Sequence, residues 1–192
     1  MKIPSRPQCF RLIHQMKMLD HIIDHSVMVS NVALCIARCL EKDCSGLNAD
    51  LIFSAALLHD ITKTRSFETG ELHSATGGEL LAGLGYPEVG DIIRQHVVLD
   101  RGWDKGPVSE REIVNYADKR VLHDKVVTLD RRLAYIKKRY GRDDRFKHQI
   151  KKMWKTTQAI EVRLFKQLSF ETWELKDQVK PLIRREEILN SG

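Results

Sequence analysis

Leu51-Ile52-Phe53-Ser54-Ala55-Ala56-Leu57-Leu58-His59-Asp60 is the stretch that decides how this chain folds. An apolar run of this kind is built for burial, and it ends on an imidazole and a carboxylate, so two metal-binding groups stand at the edge of a core. The His-Asp pair alone says little. Its company says more: His25 lies upstream, His73 and His96 downstream, and Asp118 beyond them. Together these histidines and carboxylates make a ligand set for one or two divalent transition-metal ions. Mixed imidazole and carboxylate donors suit Mn, Fe, Co, Ni or Zn better than Mg.

The motifs around these residues occur in a fixed order. His25-Ser26 is followed by Val29, Ala33 and Ala37; then come Ala55 to Asp60 with Ile61-Thr62-Lys63. His73 leads through Gly77-Gly78-Glu79-Leu80-Leu81 and Leu84-Gly85-Tyr86-Pro87-Glu88-Val89 to Arg94-Gln95-His96, and Val114-Asn115-Tyr116-Ala117-Asp118-Lys119 closes the series. In this order they resemble the HD domain superfamily of metal-dependent phosphohydrolases, in the branch whose HD pair continues as HDIG. A narrower likeness is to HD domains found alone or fused to molybdenum-cofactor nucleotidyltransferases in bacteria. Two departures stand out: Val97 follows His96 where many relatives carry a second histidine, and Thr62 occupies the Gly position of HDIG.

The resemblance implies an all-α fold, a single-domain helical bundle of the HD type with an added C-terminal helical segment. It implies that His25, His59, Asp60 and Asp118 hold a first ion, with Asp60 bridging to a second ion held by His73 and His96. Asp60, His59 and Lys63 are the expected catalytic groups. Lys63 is also expected to meet a substrate phosphate, with Arg65, Arg94, Arg101 and Lys119 as further phosphate contacts. Asp24 and Glu71 are candidates to orient ligand imidazoles, though most carboxylates so placed are simply solvated. His14, His21 and His123 read as surface or boundary residues. A lone histidine on an apolar helix, as at His25, is ordinarily a hydrogen-bonded core residue, and only the ordered motif makes it a ligand.

Periodicity supplies the elements. Val29, Val32, Ala33, Ile36, Ala37 and Leu40 recur at helical spacing from Asp24 to Leu40, and Asn48 is placed to cap a helix through Leu58. Lys63 to Gly70 reads as a loop beside the metals, where a lid or substrate contact is expected. His73 opens a helix to about Gly83, and Pro87 opens another to about Val98. Asp100 to Val108 reads as a loop. Ser109-Glu110-Arg111-Glu112 has the form of a capping box and starts the helix carrying Asp118. Helices over about Asp124 to Tyr140 and Asp144 to Leu168 follow, with a tail broken at Pro181, and no strand is expected. The expected divisions are an N-terminal helical extension (1–19), the metal-binding domain (20–140) and C-terminal helices packed on it (141–192).

Composition limits the function classes. At 192 residues the chain suits one domain with a sizeable core. No apolar stretch is read as approaching the roughly 20 residues that span a bilayer. The start, Met1-Lys2-Ile3-Pro4-Ser5-Arg6-Pro7, lacks the apolar core of a signal peptide. Cys9, Cys35, Cys39 and Cys44 lack CxxC spacing; a zinc site at Cys35, Cys39 and Cys44 is conceivable, but buried thiols are the preferred reading, and cytoplasm is the expected compartment. Between Lys119 and Lys155 fourteen Lys and Arg face four Asp, which suits either a phosphorylated or nucleotide substrate or solvated helix faces. No nucleic-acid module is evident, so nucleic acid is not an expected partner. The leading expectation is hydrolysis of a small phosphate ester, with a non-catalytic nucleotide-binding regulatory module and a di-iron oxygenase as the alternatives.

Overall fold

In the computed structural model, which describes residues 1–40, 46–140 and 144–191, the chain is built of helices. They are α1 (Arg6–Gln15), α2 (Asp20–Leu40), α3 (Ala49–Leu58), α4 (Lys63–Thr69), α5 (His73–Gly83), α6 (Pro87–Gln95) and α7 (Glu110–Lys119). A minimal hairpin, β1 (Val121–Leu122) with β2 (Lys125–Val126), then leads into α8 (Leu129–Tyr140), α9 (Asp144–Phe165), α10 (Leu175–Gln178) and α11 (Arg185–Leu189). The all-α expectation holds, apart from the hairpin, which pairs Val121 with Val126 antiparallel.

Helix α2 is the spine, packed against both α3 and α7. Ile22, Val29, Val32, Ile36 and Leu40 are buried along it, each such side chain contributing about 1.5–3 kcal/mol. By length and composition α2 could cross a membrane, with a mean hydropathy of 1.3, but 72% of that window is packed inside the fold. The expectation that no stretch reaches this length is therefore corrected: a helix buried nearly all round is apolar nearly all round. The same reasoning covers α3, where every residue from Leu51 to Leu58 is buried.

Helix ends follow the expected chemistry at two places. The Asn48 side chain accepts the Leu51 amide at 3.0 Å and starts α3. Glu112 accepts the Ser109 amide at 2.8 Å, closing a capping box that starts α7. On the far side of α2, the buried amide of Asn31 accepts from the backbone of Leu182 and Ile183 and donates to the Ile183 carbonyl, which ties the C-terminal segment to the spine.

Three elements depart from expectation. Lys63–Thr69 is a helix, not a loop; it buries no side chain, so no apolar period betrays it, and it stops at Gly70 with φ +71°. The segment expected to begin a helix at Asp124 instead forms the hairpin turn, with His123 in the left-handed region at φ +57° and α8 starting at Leu129. Helix α6 ends at Gln95 rather than near Val98, for a reason that belongs to the metal centre. Cys9 and Cys35 are buried and Cys39 is half-buried, while Cys44 lies outside the described residues. Among the described residues no cysteine joins a metal-binding group.

Helices α5 and α6 cross at backbone contact. A Cβ placed on Gly90 would collide with the Gly78 carbonyl oxygen, and one on Gly78 would lie 2.7 Å from the Gly90 carbonyl oxygen. Neither obstacle is a side chain that can swing aside. Gly90→Ala should therefore lower stability by about 1–3 kcal/mol, read as an earlier urea midpoint at unchanged slope. An unchanged midpoint would mean that the crossing yields freely.

Candidate metal centre

The end of α3, the turn after it, the start of α5, the end of α6, the end of α7 and the second turn of α2 converge on one cluster. His25 Nε2 lies 3.1 Å from Asp118 Oδ1, and His59 Nε2 lies 3.3 Å from Asp60 Oδ2 and 3.9 Å from Asp118 Oδ1. Asp60 turns its other oxygen the opposite way: Oδ1 is 3.2 Å from His73 Nε2 and 3.7 Å from His96 Nε2, and those two nitrogens are 3.3 Å apart. Asp60 thus offers one oxygen to each half of the cluster. All six expected ligands are brought together.

The imidazoles are aimed by backbone carbonyls. His59 Nδ1 pairs with the Ala56 carbonyl at 2.7 Å and His96 Nδ1 with the Ile93 carbonyl at 2.7 Å. Both histidines cap a helix, α3 and α6 respectively, and both reach back three residues to a carbonyl left over at the helix end. His25 Nδ1 takes the His123 carbonyl at 2.9 Å, which the left-handed turn of the hairpin presents. With Nδ1 spent as the donor, each Nε2 lone pair faces the centre, the arrangement that metal-binding histidines use. The candidate role of Asp24 and Glu71 behind the imidazoles is not met: Asp24 pairs with Arg185, and Glu71 with Arg65. The side chain of His21 is exposed, and His14 bonds the Ile188 carbonyl.

The residues present fit a metal. His59 Nε2 and Asp60 Oδ1 are buried polar atoms with no hydrogen-bond partner, a costly state unless a cation completes it. The donor–donor separations of 3.1 to 3.3 Å match the edges of a coordination shell with bonds of about 2.0–2.2 Å. Two ligand triads stand within metal-sharing reach: His25, His59 and Asp118, and His59, Asp60 and His96.

Two carboxylates this deep require compensation. Burial alone would raise Asp60, but the charges of His59 and Lys63 outweigh it and hold the carboxyl well below its usual range. Burial likewise acts on Asp118 and is overcome by Lys119, His25 and Arg132. Burial lowers His25 against the pull of Asp118, and burial with His59 pushes His96 well down. His59 goes the other way: burial opposes its charge, but Asp60 and Asp118 draw a proton to it.

The basic residues singled out from sequence divide in two. Lys63 Nζ donates to Asp60 Oδ2 at 2.7 Å. Lys119 is buried and donates to Asp118 Oδ2 at 2.9 Å and to the His96 carbonyl at 2.7 Å, linking α7 to the end of α6. Arg65 engages Glu71, Arg94 engages Asp91 and Asp100, and Arg101 sits exposed in the loop after α6. Sequence reasoning missed Arg132, which α8 extends to within 3.5 Å of Asp118 Oδ1; as one arginine in a basic helix it carries no local signal. Thr62, marked in the sequence only as a departure from HDIG, donates its hydroxyl to the His73 carbonyl at 2.8 Å and so pins the start of α5 to the His59-Asp60 turn.

A family model described as HD domain matches residues 22–121, a window that holds all six ligand candidates. Over 96 residues, half of this chain, it is 29% identical to a tRNA (cytidine(56)-2'-O)-methyltransferase of Thermoplasma volcanium, and the match spans 26% of that protein. Among solved structures it resembles a predicted HD superfamily hydrolase from an uncultured Thermotogales bacterium. That likeness has a TM-score of 0.50 and 22% identity, and it covers 86% of this chain and 94% of that one; it speaks to fold.

A proton drawn to His59 competes with any cation for Nε2. Zinc affinity should therefore fall as pH drops, starting above the ordinary imidazole value of 6.5 because His59 is raised, with protons released on binding. Calorimetry in buffers of different ionisation heat between about pH 5.5 and 8 would read this. Affinity that stays flat across that window would show that His59 does not bind the ion.

Proposed function

The chain belongs to the HD domain family, and from that membership we propose that it is a metal-dependent phosphohydrolase acting on a small phosphate ester, with a nucleotide as the leading substrate class. The observation that carries this reading is the convergence of three imidazole Nε2 atoms, from His59, His73 and His96, on the two oxygens of one buried carboxylate, Asp60, with His25 and Asp118 paired beside them. A divalent ion held there would supply a Lewis acid for phosphoryl oxygens and lower the pKa of a bound water towards about 7.

The chain's own residues do the rest. Asp60 Oδ2 is held by Lys63 and faces His59, while Oδ1 has no hydrogen-bond partner, so the carboxylate is fixed in rotation with one acceptor still open. We read Asp60 as the group shared between two ions, His25, His59 and Asp118 as the rest of one shell, and His73 and His96 as the rest of the other. His73 and Lys63, each with about a quarter of the side chain exposed, mark the side from which solvent and substrate reach the centre. The basic surplus between Lys119 and Lys155 supports an anionic substrate. We do not carry methyl transfer over to this chain, because the likeness to the transferase covers only 26% of that protein.

The test is elemental analysis of purified protein followed by hydrolysis of aryl phosphates and nucleotides with the metal found. Two ions per chain, with phosphate release, is the expected result. Asp60→Asn should lose most of the metal and slow hydrolysis by at least about 100-fold, while the helical circular-dichroism signal persists. Retained metal with normal turnover in that variant would remove Asp60 from the centre.

A further inference from the structure

Two arginines in this fold, one buried and one mostly so, are treated in opposite ways. Arg120 is 2% exposed, and its guanidinium is satisfied all round: Nε donates to the Val127 carbonyl, Nη2 to the Thr172 carbonyl at 2.7 Å, and Nη1 to the Tyr116 hydroxyl with Glu161 close by. Arg132, with 13% of its side chain exposed, is satisfied only in part. Its Nε is buried without an acceptor, and its polar contact is a long 3.5 Å approach of Nη2 to Asp118 Oδ1. The ring of Tyr135 lies 5.9 Å from its guanidinium carbon, a contact that offers no acceptor lone pair. A guanidinium carries five donors, and burying them unspent is unfavourable.

Asp118 has closer partners than Arg132. Its Oδ2 is already paired with the buried ammonium of Lys119 at 2.9 Å, and its Oδ1 faces His25. Counted over the centre, Lys63, Lys119 and Arg132 stand against Asp60 and Asp118. One fixed positive charge is left over, and it is the one with open donors. A planar fork of N–H groups matches the oxygens of a phosphoryl group, two at a time.

We propose that Arg132 forms an oxyanion subsite beside the metal centre and takes phosphoryl oxygens of the substrate on its guanidinium edge. The ligand class is a phosphate monoester dianion or orthophosphate itself, and the proposal rests on the phosphohydrolase reading above. Helix α8 is then part of the site. It carries Arg132 in from outside the matched family window, which ends at residue 121.

Orthophosphate titrated into metal-loaded protein by calorimetry is the test, run beside metal analysis and aryl phosphate kinetics. Arg132→Gln should weaken orthophosphate binding at least about tenfold and raise KM similarly, the scale of a lost charge-assisted contact, with metal content unchanged. Arg132→Lys keeps the charge without the fork and should fall between; it carries the test if the Gln variant melts early. Unchanged orthophosphate affinity in Arg132→Gln, with wild-type turnover intact, overturns the subsite and leaves the phosphohydrolase reading standing. Loss of metal in both variants overturns it as well, by making Arg132 a prop for Asp118. If the wild type neither binds orthophosphate nor releases it from esters, both readings fall together.

Discussion

Two carboxylates carried into a helical interior are the constraint that organises this molecule. Asp60 is 1% exposed and Asp118 7% exposed, and a buried ionised carboxylate persists only with cations and donors around it. The chain answers from several elements at once. Lys63 comes from the helix after the HD turn, Lys119 from the residue next to Asp118, His25 from the spine helix and Arg132 from beyond the hairpin. Each answer fixes a helix relative to the others. The packing of α2, α3, α6 and α7 and the electrostatics of the centre are therefore one problem solved together.

The sequence was most legible where one residue type performs one job. The run from Leu51 to Leu58 reads as buried and is; Asn48 and Ser109 read as helix starts and are. The six ligand candidates were legible through their order along the chain. Less legible was everything that depends on backbone acceptors or on position in space. No side-chain pattern marks the Ala56, Ile93 and His123 carbonyls as the groups that aim three imidazoles. His123 looks like an ordinary surface histidine because its side chain is exposed; the part that matters is its carbonyl, turned by a left-handed backbone. Helix α4 has no apolar period because it buries nothing.

Thr62 shows how a departure from a family pattern can be absorbed. A glycine at this place would leave the His73 carbonyl without the hydroxyl that now meets it at 2.8 Å, and Thr76 adds a second hydroxyl 3.0 Å away. The turn that carries the carboxylate and the helix that carries His73 are joined by that bond. Together with the glycine crossing of α5 and α6, it sets where the more exposed half of the centre sits relative to the buried half.

The two helix-capping histidines have a kinetic consequence. Each ligand imidazole is locked to a carbonyl of its own helix, so it cannot swing off a bound ion by a rotamer change alone without breaking that bond. An ion held there would leave either by breaking its bond to a stationary Nε2 or after the last turn of α3 or α6 opens. Local opening of packed helix ends is far slower than side-chain rotation. The stability of two helix termini would in this way help to set how long an ion stays, a second use for turns that otherwise only close a helix.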